Sequence, residues 1–329
     1  MLKSQDVKTY ALDAGADIVG IASMDRYEGA PRQCDARYIA PDAKSMIVMG
    51  FRIPRGTLRG IEEGTFYVSY ASMGYAAINH VLQPMVCWQV TAMLEDAGYE
   101  AVPIPNNFPW TNSDGSGQVP ERIGVMNPAR SMPVAPDKPA PDVFVHMRLA
   151  AFMAGLGEIG WSKMFTSPRF GPRQRLAAVI TDAPLKPDPI YEGPQLCDRC
   201  MLCAQDCTGN AIPTDRSVKI TVAGHDLEWG DLNYVDCSRY FCGASEEHNP
   251  FMITEEAREG FQQPVSLGQR YKIGPTYDYG RALEGASGCI RACMIHLEEQ
   301  GKLDNTFNQP FRRRKPWRLH WPRQTSAGE

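Results

Sequence analysis

Residues 197–207 have the sequence Cys197-Asp-Arg-Cys200-Met-Leu-Cys203-Ala-Gln-Asp-Cys207. The four cysteines have the spacing C-x2-C-x2-C-x3-C, which is typical of cubane iron–sulfur sites. Three thiolates on so tight a loop can hold one cluster, while the following helical turn carries the fourth cysteine toward a second cluster. Structural zinc sites instead use two C-x2-C pairs with a longer spacer, so the spacing favours iron–sulfur over zinc.

The chain contains ten cysteines, and eight of them lie in its C-terminal half. The second half of a two-cluster site should repeat the motif, but Ala286 occupies the first ligand position. The simplest assignment gives one 4Fe-4S cluster to Cys197, Cys200, Cys203 and Cys293, and a second to Cys207, Cys237, Cys242 and Cys289. If Cys242 does not ligate, the second cluster is a 3Fe-4S cluster or has a non-cysteine ligand. Cys34 and Cys87 have no assigned role.

The composition excludes several classes of protein. The chain has 329 residues, of which 43% are hydrophobic and 22% charged, which is typical of a folded globular chain and excludes wholesale disorder. No apolar run is long enough to span a membrane. Residues 1–20 lack the pattern of an export signal, and the expected location is the cytoplasm.

The net charge of -4 is not the excess of positive charge that is typical of a nucleic-acid-binding protein. We expect the basic tail after Phe311 to pack on the acidic body, in preference to binding nucleic acid.

Apolar runs and helical periodicity alternate along the first 185 residues. Helical spacing covers 4–14, 68–97 and 145–154, and short apolar strands are predicted at 17–22, 45–51, 99–104 and 176–181. This alternation predicts a layered α/β (α+β) domain over 1–185. A proline-rich boundary at 181–193 separates it from the cysteine region, 186–329, which has a predicted insertion near 243–286 and the basic tail.

Several short motifs flank the cysteine run in a specific order. AGLGEIG (154–160), SPRFG (167–171) and TDAPL (181–185) precede it, and FNQPFR (307–312) with Pro316-Trp317 follows it. In this order the motifs resemble those of the corrinoid and iron–sulfur reductive dehalogenases. The related epoxyqueuosine reductases share the AGLG element and the double cluster.

The resemblance implies a fold, two cofactors and a reaction. The fold is a nitroreductase-like domain that binds cobalamin base-off, covered by a ferredoxin-like module with two iron–sulfur clusters. The reaction is reductive cleavage of a carbon–halogen bond in a small organohalide. The implied electron donor is a ferredoxin, a flavodoxin or a reductase.

The resemblance also implies a proton donor and a corrinoid pocket. Tyr75, in Tyr70-Ala-Ser-Met-Gly-Tyr75, falls where the dehalogenases carry a catalytic tyrosine. A nearby cation would stabilise its phenolate, and Arg130 is the first choice over Arg122 and Arg148. Two further sets are candidates for the corrinoid or substrate pocket: the glycines Gly155, Gly157 and Gly160, and the loop residues Asn106, Asn107 and Trp110.

Two other functions remain open at this point. One is a tRNA-modifying reductase of the epoxyqueuosine type, but that family carries an aspartate where this chain has Tyr75. The other is an electron-transfer protein that reduces a corrinoid on a partner and has no substrate of its own. Such a protein needs the clusters but neither an enclosed pocket nor a proton donor.

Overall fold

The structure is a computed structural model that describes residues 2–104, 133–234, 236–237 and 288–311. Its helices are α1 (Ser4–Asp13), α2 (Arg55–Glu63), α3 (Gln83–Asp96), α4 (Met147–Met153), α5 (Leu202–Gln205) and α6 (Cys289–Glu299), with π-helical turns at Tyr70–Ala76 and Ile78–Leu82. Its strands are β1 (Ile18–Ser23), β2 (Ser45–Arg52), β3 (Ala101–Ile104), β4 (Glu158–Ile159), β5 (Phe165–Thr166), β6 (Gln174–Thr181), β7 (Ser217–Val222) and β8 (His225–Gly230). Within these ranges the protein is a mixed α and β structure, as predicted.

The central sheet has four strands in the order β1-β2-β6-β3, and every neighbouring pair is antiparallel. Of the two predicted classes, α/β and α+β, the antiparallel pairing corresponds to α+β. The seven predicted helices and strands of the first 185 residues are present, with boundaries displaced by at most two residues except where the long helix begins. The β7–β8 hairpin was not predicted.

Both faces of this sheet are covered, which explains the continuous apolar run of β2. Ile47 and Met49 point into one core, which α1 and α3 close with Val7 and Val90. Met46 and Val48, like the alternate residues of β6, point into the second core, beneath α4. Because side chains alternate along a strand, a strand buried on both faces needs apolar residues at every position.

The cysteine region contributes to both cores. Ile290 and Met294 of α6 belong to the first core, and Cys203 and Trp229 to the second. The predicted boundary between residues 185 and 186 stays a prediction. Cys34 and Cys87 are buried, and burial raises the pKa of the Cys87 thiol to about 12, as for a small apolar side chain.

The long predicted helix at 68–97 is not a single α-helix. Its first part consists of the two π-helical turns, and α-helical geometry begins only at Gln83. Pro84 at the start of α3 has no N–H, so the π-type hydrogen-bond ladder cannot run through it. Wide π-helical turns occur often at functional sites.

No helix within the described ranges is both long and apolar enough to cross a membrane.

Candidate functional site

The four cysteines assigned to the first cluster lie together. Cys197 and Cys200 lie on the loop that leads into α5, Cys203 lies in α5 itself, and Cys293 comes from α6, which packs against α5. Burial is the main cause that raises the pKa of Cys293, and the negative charges of the other three thiolates raise it further. Cys203 is affected in the same way, with its pKa raised to about 12 by burial and by Cys197 and Cys200. The fold therefore collects thiols that are 90 or more residues apart in sequence.

The backbone around Cys200 is shaped for a tight loop. Arg199 and Met201, on either side of it, have positive φ angles of 59° and 60°. Left-handed conformations cost a non-glycine residue on the order of 1 kcal/mol, so the surrounding structure must hold them. Cys200 itself is exposed, and the Sγ atom of Cys197 accepts a hydrogen bond from the backbone N–H of Trp161 at 3.3 Å. The first set of thiols thus extends from the interior to the surface.

Three of the four cysteines assigned to the second cluster are described. The Sγ atom of Cys207 accepts a hydrogen bond from the N–H of Ala211 at 3.3 Å, and the Sγ atom of Cys289 lies 3.9 Å from the sulfur of Met164. Cys237 is half-buried. Cys242 and Ala286 lie outside the described residues, so the fourth ligand stays a prediction.

One helix carries a cysteine of each set. Cys289 and Cys293 are four residues apart on α6, and side chains at this spacing lie on the same helix face, about 6 Å apart. Cys203 lies on α5, and Cys207 follows two residues after that helix ends at Gln205. The first and second sets are therefore linked through α6.

A tyrosine pair lies on the first π-helical turn. Tyr70 is fully buried and Tyr75 is half-buried, and their rings meet edge to face with centroids 6.4 Å apart. Arg175 of β6 contacts both. Its Nη2 donates a hydrogen bond to the Tyr70 hydroxyl at 3.1 Å, and its Cζ lies 4.1 Å from the centroid of the Tyr75 ring. Its Nε is buried and has no hydrogen-bond partner among the described residues.

One tyrosine of the pair also lies close to the second set of cysteines. Burial raises the pKa of Tyr70, the charge of Arg175 lowers it, and the negative charge of a Cys289 thiolate raises it again. Arg175 and Cys289 are therefore both within electrostatic reach of Tyr70.

Arg175 is a residue that the sequence analysis missed. Arg130 and Arg122 lie outside the described residues, and Arg148 lies close enough to Lys163 and His146 to lower their pKa values. The signal in the sequence was a charged residue at the start of the apolar strand β6. The strand pairing places that residue opposite Phe51 of β2, beside the helix that carries the tyrosines.

The three predicted pocket glycines each have a protein neighbour. A Cβ atom at Gly155 would lie 2.0 Å from the carbonyl oxygen of Pro189, and one at Gly157 would lie 2.1 Å from that of Thr166. Gly160 lies against Cys197, whose Sγ atom would be 3.4 Å from such a Cβ. Close packing of the chain on itself accounts for Gly155 and Gly157. The role of the three glycines toward a corrinoid stays a prediction, as does that of Asn106 and Asn107, which lie outside the described residues with Trp110.

No family model matches the chain. A tetrachloroethene reductive dehalogenase of Desulfitobacterium hafniense is 40% identical over 106 residues, which cover 30% of this chain and 19% of that protein. The matched segment thus spans about a fifth of the length of this curated relative. The match confirms the resemblance to reductive dehalogenases that the motifs indicated.

Two solved structures of similar shape carry related names. A catabolic reductive dehalogenase has a TM-score of 0.49 and 19% sequence identity, with 84% of this chain and 36% of that chain covered. An epoxyqueuosine reductase has a TM-score of 0.48 and 13% identity, with 89% of this chain and 80% of that chain covered.

Proposed function

We propose that this chain, which is similar in sequence to the reductive dehalogenases, cleaves the carbon–halogen bond of a small organohalide. Two iron–sulfur clusters held by the cysteines would relay the electrons, and a bound cobalamin would supply the reduced metal that acts on the substrate. The balanced reaction takes up two electrons and one proton, replaces the halogen on carbon by hydrogen, and releases a halide ion. The observation that carries this proposal is the Tyr75–Arg175 pair, which lies beside Tyr70, a residue whose pKa is raised by burial and by the negative charge of Cys289.

The donor set fits an iron–sulfur cluster. Four thiols whose thiolate charges repel one another, in a partly buried place, stay protonated unless a cationic centre compensates them. Soft thiolates select iron–sulfur, zinc or copper(I), and the tight cysteine spacing favours iron–sulfur. We assign Cys197, Cys200, Cys203 and Cys293 to the first cluster, and Cys207, Cys237, Cys242 and Cys289 to the second.

The positions of the two sets give the relay a direction. Cys200 of the first set is exposed, so an external donor can approach that set. Cys289 of the second set lies close enough to Tyr70 that, besides burial, its negative charge raises the pKa of that tyrosine. We therefore place electron entry at the Cys200 end and electron delivery at the Cys289 end.

When bound, the clusters supply single-electron transfer and cobalamin supplies the reduced cobalt that acts on the carbon–halogen bond. Asn106 and Asn107 lie outside the described residues, and the three glycines already contact protein.

The chain's own side chains supply the proton. A tyrosine hydroxyl, with an ordinary pKa of about 10, is protonated at neutral pH and can act as a general acid. Tyr75 donates this proton to the carbon that loses the halogen, which leaves a phenolate. The guanidinium of Arg175, over the Tyr75 ring, stabilises that negative charge. Tyr70 holds the guanidinium in place by accepting a hydrogen bond from its Nη2.

The experiment compares reconstituted wild type with Tyr75→Phe under anaerobic conditions. We expect about eight irons per chain and base-off cobalamin in both proteins, with turnover of a haloorganic substrate reduced at least ~100-fold in the variant. Tyr10→Phe, which removes the hydroxyl of an exposed tyrosine on α1, is the matched control and should behave as wild type.

Two results would contradict the proposal. Unchanged turnover in Tyr75→Phe would remove this residue from the donor role. Iron near four per chain with no retained corrinoid would reject the relay as well.

A further inference from the structure

One surface helix exposes a row of large apolar side chains. Met73, Val81, Met85 and Trp88 are each more than half exposed, and Trp88 reaches 69%. Phe66 and Val68 extend the row at its beginning, with exposed fractions of 55% and 50%. We call these six residues the uncharged face. Met73, Val81, Met85 and Trp88 lie on the π-helical turns and α3, and Phe66 and Val68 come just before the first of these turns.

The segment that carries this face, between Thr65 and Leu94, contains neither Asp, Glu, Lys nor Arg, and His80 is its one titratable basic residue. The inner side is core, with Val86, Val90 and Leu94 almost completely buried. A helix exposed to water on its outer side normally carries charged residues there. A helix that is apolar on both sides is one whose outer side is covered as well.

A membrane surface is a poor occupant for this face. Helices that lie in the bilayer interface carry Lys and Arg along their polar side, where they meet anionic headgroups. This segment has none over 30 residues. A strongly charged protein partner would find no complementary charge either.

We propose that a second copy of this chain covers the uncharged face, in a two-fold symmetric dimer. In such a dimer the same patch meets itself, so each charge near the axis would oppose its own copy. A patch with no charge avoids that repulsion. At their exposed fractions the six side chains present on the order of 600 Å² of apolar surface, at the upper end of what a monomer exposes. A stable dimer buries about 800 Å² per partner, which the face nearly supplies alone.

This inference is independent of the proposed function. It concerns the outer side of the helix whose inner side carries Tyr70, and it needs no cofactor. A dimer without dehalogenase activity would support it, and an active monomer would reject it.

The test measures the mass of the full chain by light scattering after gel filtration, in wild type and in Trp88→Glu. Wild type should elute at about twice 36.6 kDa, and the variant as a monomer. A two-fold interface buries the substitution twice, so the dimer should weaken at least ~100-fold. The matched control is Val134→Glu, a valine that is 84% exposed outside the uncharged face, and it should stay dimeric.

Hydrogen exchange on wild type keeps the test informative if the variant misfolds. Protection of peptides within 65–94 should rise between about 1 µM and about 100 µM protein, because dimerisation follows mass action. A wild-type monomer with concentration-independent exchange would overturn the proposal. So would a dimer that survives Trp88→Glu. Binding to neutral lipid vesicles by a monomeric wild type would assign the face to a lipid surface instead.

Discussion

Replacing Arg175 tests the proposed proton donor more closely than replacing the tyrosine itself. The substitution Arg175→Met keeps the Tyr75 hydroxyl and removes the cation whose Cζ lies 4.1 Å from the centre of its ring. If the pair acts as proposed, Tyr75 of the variant can still donate a proton, but no neighbouring cation stabilises the phenolate that this leaves. The effect should therefore appear in turnover and leave both cofactors in place.

The geometry gives the expected size of this effect. A unit positive charge about 5 Å from a phenolate oxygen, at an effective dielectric constant of about 20, is worth about 3 kcal/mol. If that stabilisation exists only when the phenolate forms, its loss slows turnover by about 100-fold. Arg175→Lys keeps the charge but loses the planar stacking on the ring, so a smaller loss of about 10-fold is expected.

The assay is halide release per chain, with iron content and thermal unfolding measured on the same samples. The buried Tyr70 hydroxyl loses its donor in Arg175→Met, which should cost about 1–3 kcal/mol of stability. The control is Arg169→Met, an exposed arginine whose Cζ lies 5.1 Å from the Phe170 ring. Turnover of Arg175→Met within two-fold of wild type, in folded and iron-loaded protein, would refute the role of Arg175.

Two further predictions concern the clusters and the electrostatics of the core. Cys293→Ser should lose the first cluster and leave about four irons per chain, while Cys87→Ala should keep about eight; full iron in Cys293→Ser would remove it from the ligand set. Burial lowers the pKa of Lys163 from 10.5 to about 8, so the unfolded chain holds this proton more tightly. Burying the charged Lys163 lowers the free energy of unfolding by its full amount below pH 8, and this loss disappears as the pH rises toward 10.5. Against Lys163→Met, the unfolding free energy of wild type should therefore rise by about 3 kcal/mol over that range in chemical denaturation. Parallel pH curves for the two proteins would contradict this.

Local patterns predicted most elements of the first half of the chain. The spacing of apolar residues located the strand at 45–51 and the helix at 4–14. This works because the residues on each buried face of a strand or helix are apolar, so their spacing follows its period. The antiparallel order of the sheet was not predictable, since the pairing of β2 with β6 joins segments more than 120 residues apart. The π-helical turns were also missed, because helical periodicity does not separate a π-helix from an α-helix at this length.

The sequence motif indicated which thiols lie close together. The cysteine spacing grouped Cys197, Cys200 and Cys203, the simplest assignment added Cys293, and burial together with the charges of the first three raises the pKa of Cys293. That these four thiols bind a cluster stays a prediction. The partner of Tyr75 was not predictable in this way. Arg175 lies 100 residues away in sequence and reaches the tyrosine only because β6 lies in the middle of the sheet beside the π-helical turns. No local pattern reports such a contact.

The proposed function is tested most directly by halide release from the anaerobically reconstituted chain, measured across aromatic and aliphatic halides against the electrons supplied. We expect one halide for every two electrons consumed with at least one substrate, and no release when cobalamin is omitted. A chain that holds both clusters and base-off cobalamin, accepts electrons, and yet releases no halide from any of these substrates would contradict the proposed function.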